Sequence, residues 1–211
     1  MVKRNLRLQV EGIDNLPSSG PVIIAARHYH HLYDGCALVA TIPRPSHILV
    51  AGDWVGNPAG RYILLRACAA AGWPMVIRPG GPSGAGAGEA AAAFRKAASQ
   101  SLEVLRDGHV LITFPEGYPN IDPGYTPKSE SLDYLPFQRG VVRLANMAYQ
   151  RGLAVPIIPV GLSYTQNDKW NIVLRFGEPE LIGSRHNEVV VLRHLEQQVM
   201  YLSRGNLLES W

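Results

Sequence analysis

The chain has 211 residues, 46% of them hydrophobic and 18% charged, with a net charge of +3. That length and balance suit one folded domain with a proper core, read over residues 1–211, and exclude a disordered or collagen-like chain. The charge is too slight to argue for nucleic acid, yet it is compatible with an anionic lipid surface or a phosphorylated substrate. No window reaches the ~18 apolar residues that a spanning helix needs, and the charged N-terminus lacks the apolar run of a secretory signal. A cytoplasmic protein is therefore expected, with peripheral contact to membrane at most. Cys36 and Cys68 sit in apolar surroundings and read as core residues of a reducing compartment.

Residues 6–10 and GPVIIAA (20–26) read as strands, and the second runs into ARHYHHLYDG (26–35). GCALVATI (35–42) suits a short apolar helix, SHILVAGDW (46–54) a strand and turn, and AGRYILLRACAAAG (59–72) a helix. The stretch 54–72 carries apolar faces with Arg61 and Arg66; it could lie at an interface, but core packing is the expected use. PMVIR (74–78) reads as a short buried strand, and PGGPSGAGAG (79–88) as a flexible loop. The alanine-rich stretch 89–108 predicts a helix with Phe94, Ala98, Leu102 and Leu105 on one face and Gly108 as its stop. HVLITF (109–114) is a strand leading into PEG, and 121–136 is a long polar loop. A helix over 140–152, a buried strand over 155–164, an edge-like strand over 170–179 and an amphipathic helix over 188–205 complete the chain. Alternating strands and helices predict an α/β fold, a single domain with a central mixed sheet flanked by helices.

Three places could carry chemistry. In the histidine turn, a His and Asp34 at a strand-to-helix turn can share a hydrogen bond, leaving the other ring nitrogen to take a proton; histidines that merely cap a helix fit equally well. In TFPEGYPN (113–120), Glu116 could orient a hydroxyl or phosphate while Gly117 lets the backbone approach it. Arg78 follows a buried strand and has the forked donors that suit phosphate, though a salt-bridged surface arginine reads the same way.

In order and spacing, RHYHHLYD (27–34), GWPMVIR (72–78), FPEGYPN (114–120) and VPIIPVGL (155–162) resemble the four blocks of the glycerophospholipid acyltransferase family, NHxSxxD, GxxFIxR, FPEGTRS and VPIxPV. That family includes the lysophosphatidate and glycerol-3-phosphate acyltransferases. GPVIIAA, LRDGHVLITFPEG, PFQRGVVRLA (136–145) and FGEP (176–179) agree as linking pieces, so the resemblance spans about residues 18–205.

The resemblance implies transfer of a fatty acyl group from an acyl thioester, acyl-CoA or acyl carrier protein, to a hydroxyl of a lysophospholipid or related glycerolipid. Neither a metal nor a further cofactor is implied. His28 would be the general base and Asp34 its partner, with His30 in reserve; Glu116 and Gly117 would place the acceptor, and Arg78 would meet a phosphate. Oxyanion donors would come from backbone near VPIIPVG. Two departures stand out. The family's His and Asp have four residues between them, whereas Tyr29 holds that position and His28 leaves five residues before Asp34, so the turn must bulge. Tyr118 and Pro119 replace the block's Thr-Arg, removing a cation for which Arg139 could substitute in part. Ala51-Gly52-Asp53 also stands where a lysine is common.

Other readings remain. A non-catalytic lipid- or acyl-CoA-binding relative would keep the cleft and lose turnover. A metal-dependent hydrolase could use the 28–34 histidine cluster, although Leu32 and Tyr33 occupy positions where its ligands belong. The HHxxxDG motif of condensation-type acyltransferases is approached with one residue too few, in a chain less than half the size of that fold.

Overall fold

The computed structural model describes residues 6–30, 33–53, 55–78, 84–120, 134–166, 170–183 and 187–204. In chain order the elements are β1 (Leu6–Glu11), a 3-10 turn (Ile13–Asn15), β2 (Val22–Ala26), α1 (Tyr33–Thr41), β3 (Ser46–Ile48), β4 (Val50–Ala51), α2 (Pro58–Ala71) and β5 (Met75–Val76). There follow α3 (Ala87–Arg106), β6 (Val110–Thr113), α4 (Gly140–Tyr149), β7 (Pro156–Gln166), β8 (Trp170–Phe176), β9 (Glu180–Leu181) and α5 (Glu188–Ser203). The result is the expected α/β arrangement, a mixed sheet flanked by helices.

The sheet runs β1–β8–β7–β2–β6–β3, with β9 added to β7. β3, β6, β2 and β7 are mutually parallel, while β8 lies antiparallel to β7 and parallel to β1. All five residues of β2 are buried, as befits a parallel strand covered on both faces. Ile23 and Ala25 face the core made with α3, α4 and α5, whereas Val22, Ile24 and Ala26 face the core containing Ala37 and Leu38 of α1. Gly161 of β7 lets α5 come close: a Cβ there would lie 2.2 Å from the carbonyl carbon of Leu202.

Several local expectations give way. The strand over 46–54 divides: β3 stays in the main sheet, and β4 leaves it to pair with β5. PMVIR contributes two half-buried residues to that small ribbon rather than a buried strand. β8 is interior, because Leu6–Glu11 ladders along its outer edge. Phe94 is 53% exposed although Leu102 and Leu105 on α3 are buried. α2 does not pack into the core, since Cys68 is its one buried residue. Of the two loops, residues 79–83 and 121–133 lie outside the described residues, and Ala87 and Gly88 already belong to α3.

Candidate active site

The C-terminal ends of parallel strands β2 and β6 lie side by side, the usual place for a site in an α/β sheet. β2 delivers Arg27 and His28; β6 delivers Phe114 through Gly117. His28 Nδ1 lies 2.9 Å from Asp34 Oδ2 across the turn into α1. The extra residue between them is absorbed by the turn itself. The backbone N–H groups of Tyr29 and His30 both donate to the same Asp34 oxygen, at 2.7 and 2.8 Å, so the bulge wraps around the carboxylate. Asp34 is fully buried at the start of α1, where a negative charge is favourable.

The other carboxylate oxygen, Oδ1, accepts from the Tyr164 hydroxyl on β7. Burial first, and the Asp34 charge after it, push that hydroxyl far above its ordinary value of 10.0, so it remains a donor. His30 meets Asp34 through its backbone, while its ring stacks on Tyr33 with centroids 4.4 Å apart. His28 instead stacks on Phe114, also at 4.4 Å, and lines a cleft of about 960 Å³. Of the two candidate histidines, His28 is the one whose ring reaches the aspartate.

The turn after β6 holds His28 by its backbone. Gly117, at φ +78°, closes the turn by donating to the Phe114 carbonyl at 2.9 Å. Glu116 Oε1 accepts from the His28 N–H at 2.9 Å, and Asn120 donates to the His28 carbonyl from its backbone (2.8 Å) and side chain (3.0 Å). Glu116 Oε2 accepts from Asn120 Nδ2 at 2.5 Å and Leu135 N at 3.0 Å. Glu116 is 1% exposed, so it bonds the backbone of His28 and does not itself line the cleft. Burial raises its carboxyl above the usual range; the bonds from Leu135, His28 and Asn120 and the nearby Arg27 charge pull the other way.

Arg78 lines the cleft, but its charge is answered from within. Asp53, buried at the end of β4, receives its Nε at 3.0 and 2.8 Å and its Nη2 at 2.8 Å. Its Nη1 donates to the Gly117 carbonyl at 2.5 Å, and its guanidinium lies 3.9 Å from the Tyr118 ring centroid. Arg139 and Arg143, exposed and one turn apart at the head of α4, line the same cleft. Much of the remaining wall is apolar, including Leu49, Val76, Phe94 and Phe137.

The expectation of oxyanion donors near VPIIPVG does not hold. Pro156 and Pro159 have no N–H, and the strand is laddered to β2 over Ile157–Val160 and to β8 over Val160–Gln166. Among the described residues no group of three or more His, Cys, Asp or Glu is placed to hold a metal ion; His31 lies outside them.

Sequence reading missed Asp53, Asn120 and Tyr164. Each acts across 25 to 130 residues of chain; Asn120 closes the FPEGYPN block without marking itself as a partner of His28, and Asp53 and Tyr164 lie outside the four blocks. The signal available for Asp53 was a carboxylate directly after an apolar strand, in a position expected to be basic.

A family model described as Acyltransferase matches residues 7–163 of the chain. Among solved structures, the chain is similar to the 1-acyl-sn-glycerophosphate (LPA) acyltransferase PlsC from Thermotoga maritima. The TM-score is 0.57 at 18% identity, over 92% of this chain and 70% of that one. At that identity the likeness speaks for the fold alone. No curated protein matches.

Proposed function

The chain belongs to the acyltransferase family, and from that premise we propose that it moves a fatty acyl group from an acyl thioester, acyl-CoA or acyl carrier protein, to a hydroxyl of a lysolipid at a membrane surface. One observation carries the reading: His28 Nδ1 is bonded to the buried Asp34 at 2.9 Å while the ring lines an apolar cleft large enough for an acyl chain. His28 Nε2 takes the proton of the acceptor hydroxyl, and Asp34 stabilises the imidazolium that forms. The acceptor oxygen attacks the thioester carbonyl, and the tetrahedral intermediate collapses with loss of thiolate. The imidazolium returns its proton to the thiolate, so ester and free thiol leave together.

The acceptor we infer carries one negative charge or none on its head group. Asp53 compensates Arg78, Tyr118 covers its face, and position 119 is proline. A phosphate monoester dianion would find little uncompensated charge at Arg78 itself. Arg139 and Arg143 are left for a phosphodiester or for the phosphate of the donor.

Free-thiol release from a long-chain acyl-CoA, measured across lysolipids of differing head groups, tests both parts. Release should depend on acceptor, favour phosphodiester or neutral heads over lysophosphatidate, and fall by about 10³-fold or more in His28→Ala but far less in His30→Ala. Acceptor-independent hydrolysis, or a His28→Ala variant at wild-type rate, would overturn the catalytic assignment. A preference for lysophosphatidate would overturn the acceptor class.

A further inference from the structure

α2 is a well-formed helix with little protein against it. Asn57 caps its start by accepting from Gly60 N, Pro58 opens it, and Gly72 in the left-handed region ends it. Yet Tyr62 is 63%, Ile63 67% and Leu65 40% exposed. A helix this apolar is ordinarily covered by protein or by lipid. Tyr62, Leu65, Arg66 and Ala69 fall at helical spacing on the outward side, while Cys68 marks the inward one.

Its charges have one sign. Pro58–Ala71 contains no acidic residue, and its two arginines divide the work. Arg61 turns to Glu89 of α3 at 3.2 Å, fastening the helix to the body, whereas Arg66 is exposed among the outward apolar residues. The position is also particular. β4 leads into α2 and β5 leads out, and Ala51 of β4 and Val76 of β5 line the cleft that holds His28.

We propose that the outward face of α2 docks in the plane of an anionic lipid bilayer and holds the cleft mouth against it. The inference rests on the lipid acceptor proposed above, which resides in that bilayer. At 1.5 Å per residue the helix is about 21 Å long, short of the ~30 Å hydrocarbon core, so it lies on the membrane and does not cross it. Among the described residues no helix is long and apolar enough to span. A second copy fits less well, because a two-fold contact through this face brings Arg66 towards its own counterpart with no carboxylate on the helix to separate them.

Co-sedimentation of the full chain with vesicles of phosphatidylcholine, alone or mixed equally with phosphatidylglycerol, tests the surface. The triple variant Tyr62→Ser, Ile63→Ser, Leu65→Ser should bind both vesicle types about tenfold more weakly or less. Arg66→Glu, a single change at an exposed site, should weaken binding to the anionic vesicles about five- to tenfold and leave the neutral ones nearly unaffected. Thiol release with a short-chain acceptor dissolved below its micelle concentration should be unchanged in both variants, while release with a vesicle-borne acceptor falls with binding. Wild-type vesicle binding by both variants overturns the proposal. So does a sedimentation-velocity result in which the triple variant splits a dimer while vesicle binding persists. If the wild type binds vesicles through α2 but transfers to no dissolved acceptor, the acyl-transfer reading fails and the docking surface stands.

Discussion

Tyr164→Phe removes one oxygen from the site and leaves the rest of the ring in place. The ring can still stack on Tyr29, with centroids 4.7 Å apart, and meet Trp170 edge-on. Asp34 Oδ1, on a fully buried residue, loses its hydroxyl donor. A hydrogen bond to a charged acceptor contributes about 1.5–3 kcal/mol, so the variant should be less stable by that amount near neutral pH. A second signature comes from titration. Native Tyr164 is held far above 10.0, whereas in the unfolded chain the phenol ionises near its ordinary value. Above that value the unfolded state loses a proton that the native state keeps. The stability this group contributes is therefore complete below about pH 10 and declines as pH rises further. The decline follows RT ln(1 + 10^(pH − pKa)), about 1.4 kcal/mol at a pH one unit above the unfolded value. Phenylalanine has nothing to titrate, so the stability gap between wild type and variant should narrow by about 1.4 kcal/mol between roughly pH 8 and pH 11. Every other residue is common to the two proteins, so the difference isolates position 164. Urea unfolding followed by far-ultraviolet circular dichroism at several pH values reads the gap directly. A gap that stays constant across the range would refute the buried Tyr164–Asp34 bond as described.

Two further outcomes follow from the same contacts. Glu116→Gln keeps the size of the side chain but turns one acceptor into a donor facing either the His28 N–H or the Asn120–Leu135 pair. It should lose about 1–3 kcal/mol in denaturant unfolding, with kcat falling more than KM rises, because the backbone of His28 is what loosens. Gly161→Ala drives a methyl to within 2.2 Å of the Leu202 carbonyl carbon, and backbone on both sides leaves it nowhere to go. A loss of at least about 1–3 kcal/mol is expected, with thermal unfolding the measurement; an unchanged midpoint would contradict the close approach of α5 to β7.

Most of the fold was legible because its cues are local. Five apolar residues in β2 and the alternation along β8 are written in consecutive letters, and so are the glycines that stop α2 and α3. What escaped depends on partners distant in sequence. β8 looked like an edge until Leu6–Glu11 covered its flank, and 46–54 divides because β4 finds β5. Phe94 and Tyr62 look like core residues by type, and only the packing of neighbours decides that they are not. The His28–Asp34 contact was anticipated from the resemblance to the acyltransferase blocks. Its geometry was not, since the Tyr29 and His30 amides that close the bulge carry no signature in their side chains. Arg78 shows the limit most plainly: its likeness to a phosphate-binding residue is chemical, and its compensation by Asp53 is spatial.

The segment after β6 serves two masters, and its letters are divided between them. Phe114 presses on the imidazole, Glu116 and Asn120 grip the histidine's peptide groups, and Gly117 supplies the left-handed turn that lets them do so. Tyr118 touches none of this; it covers Arg78 and looks into the cleft. Under the proposed acyl transfer, a change of acceptor would be sought at that one letter, since a transplant of the whole segment would also shift His28, whose peptide groups it grips.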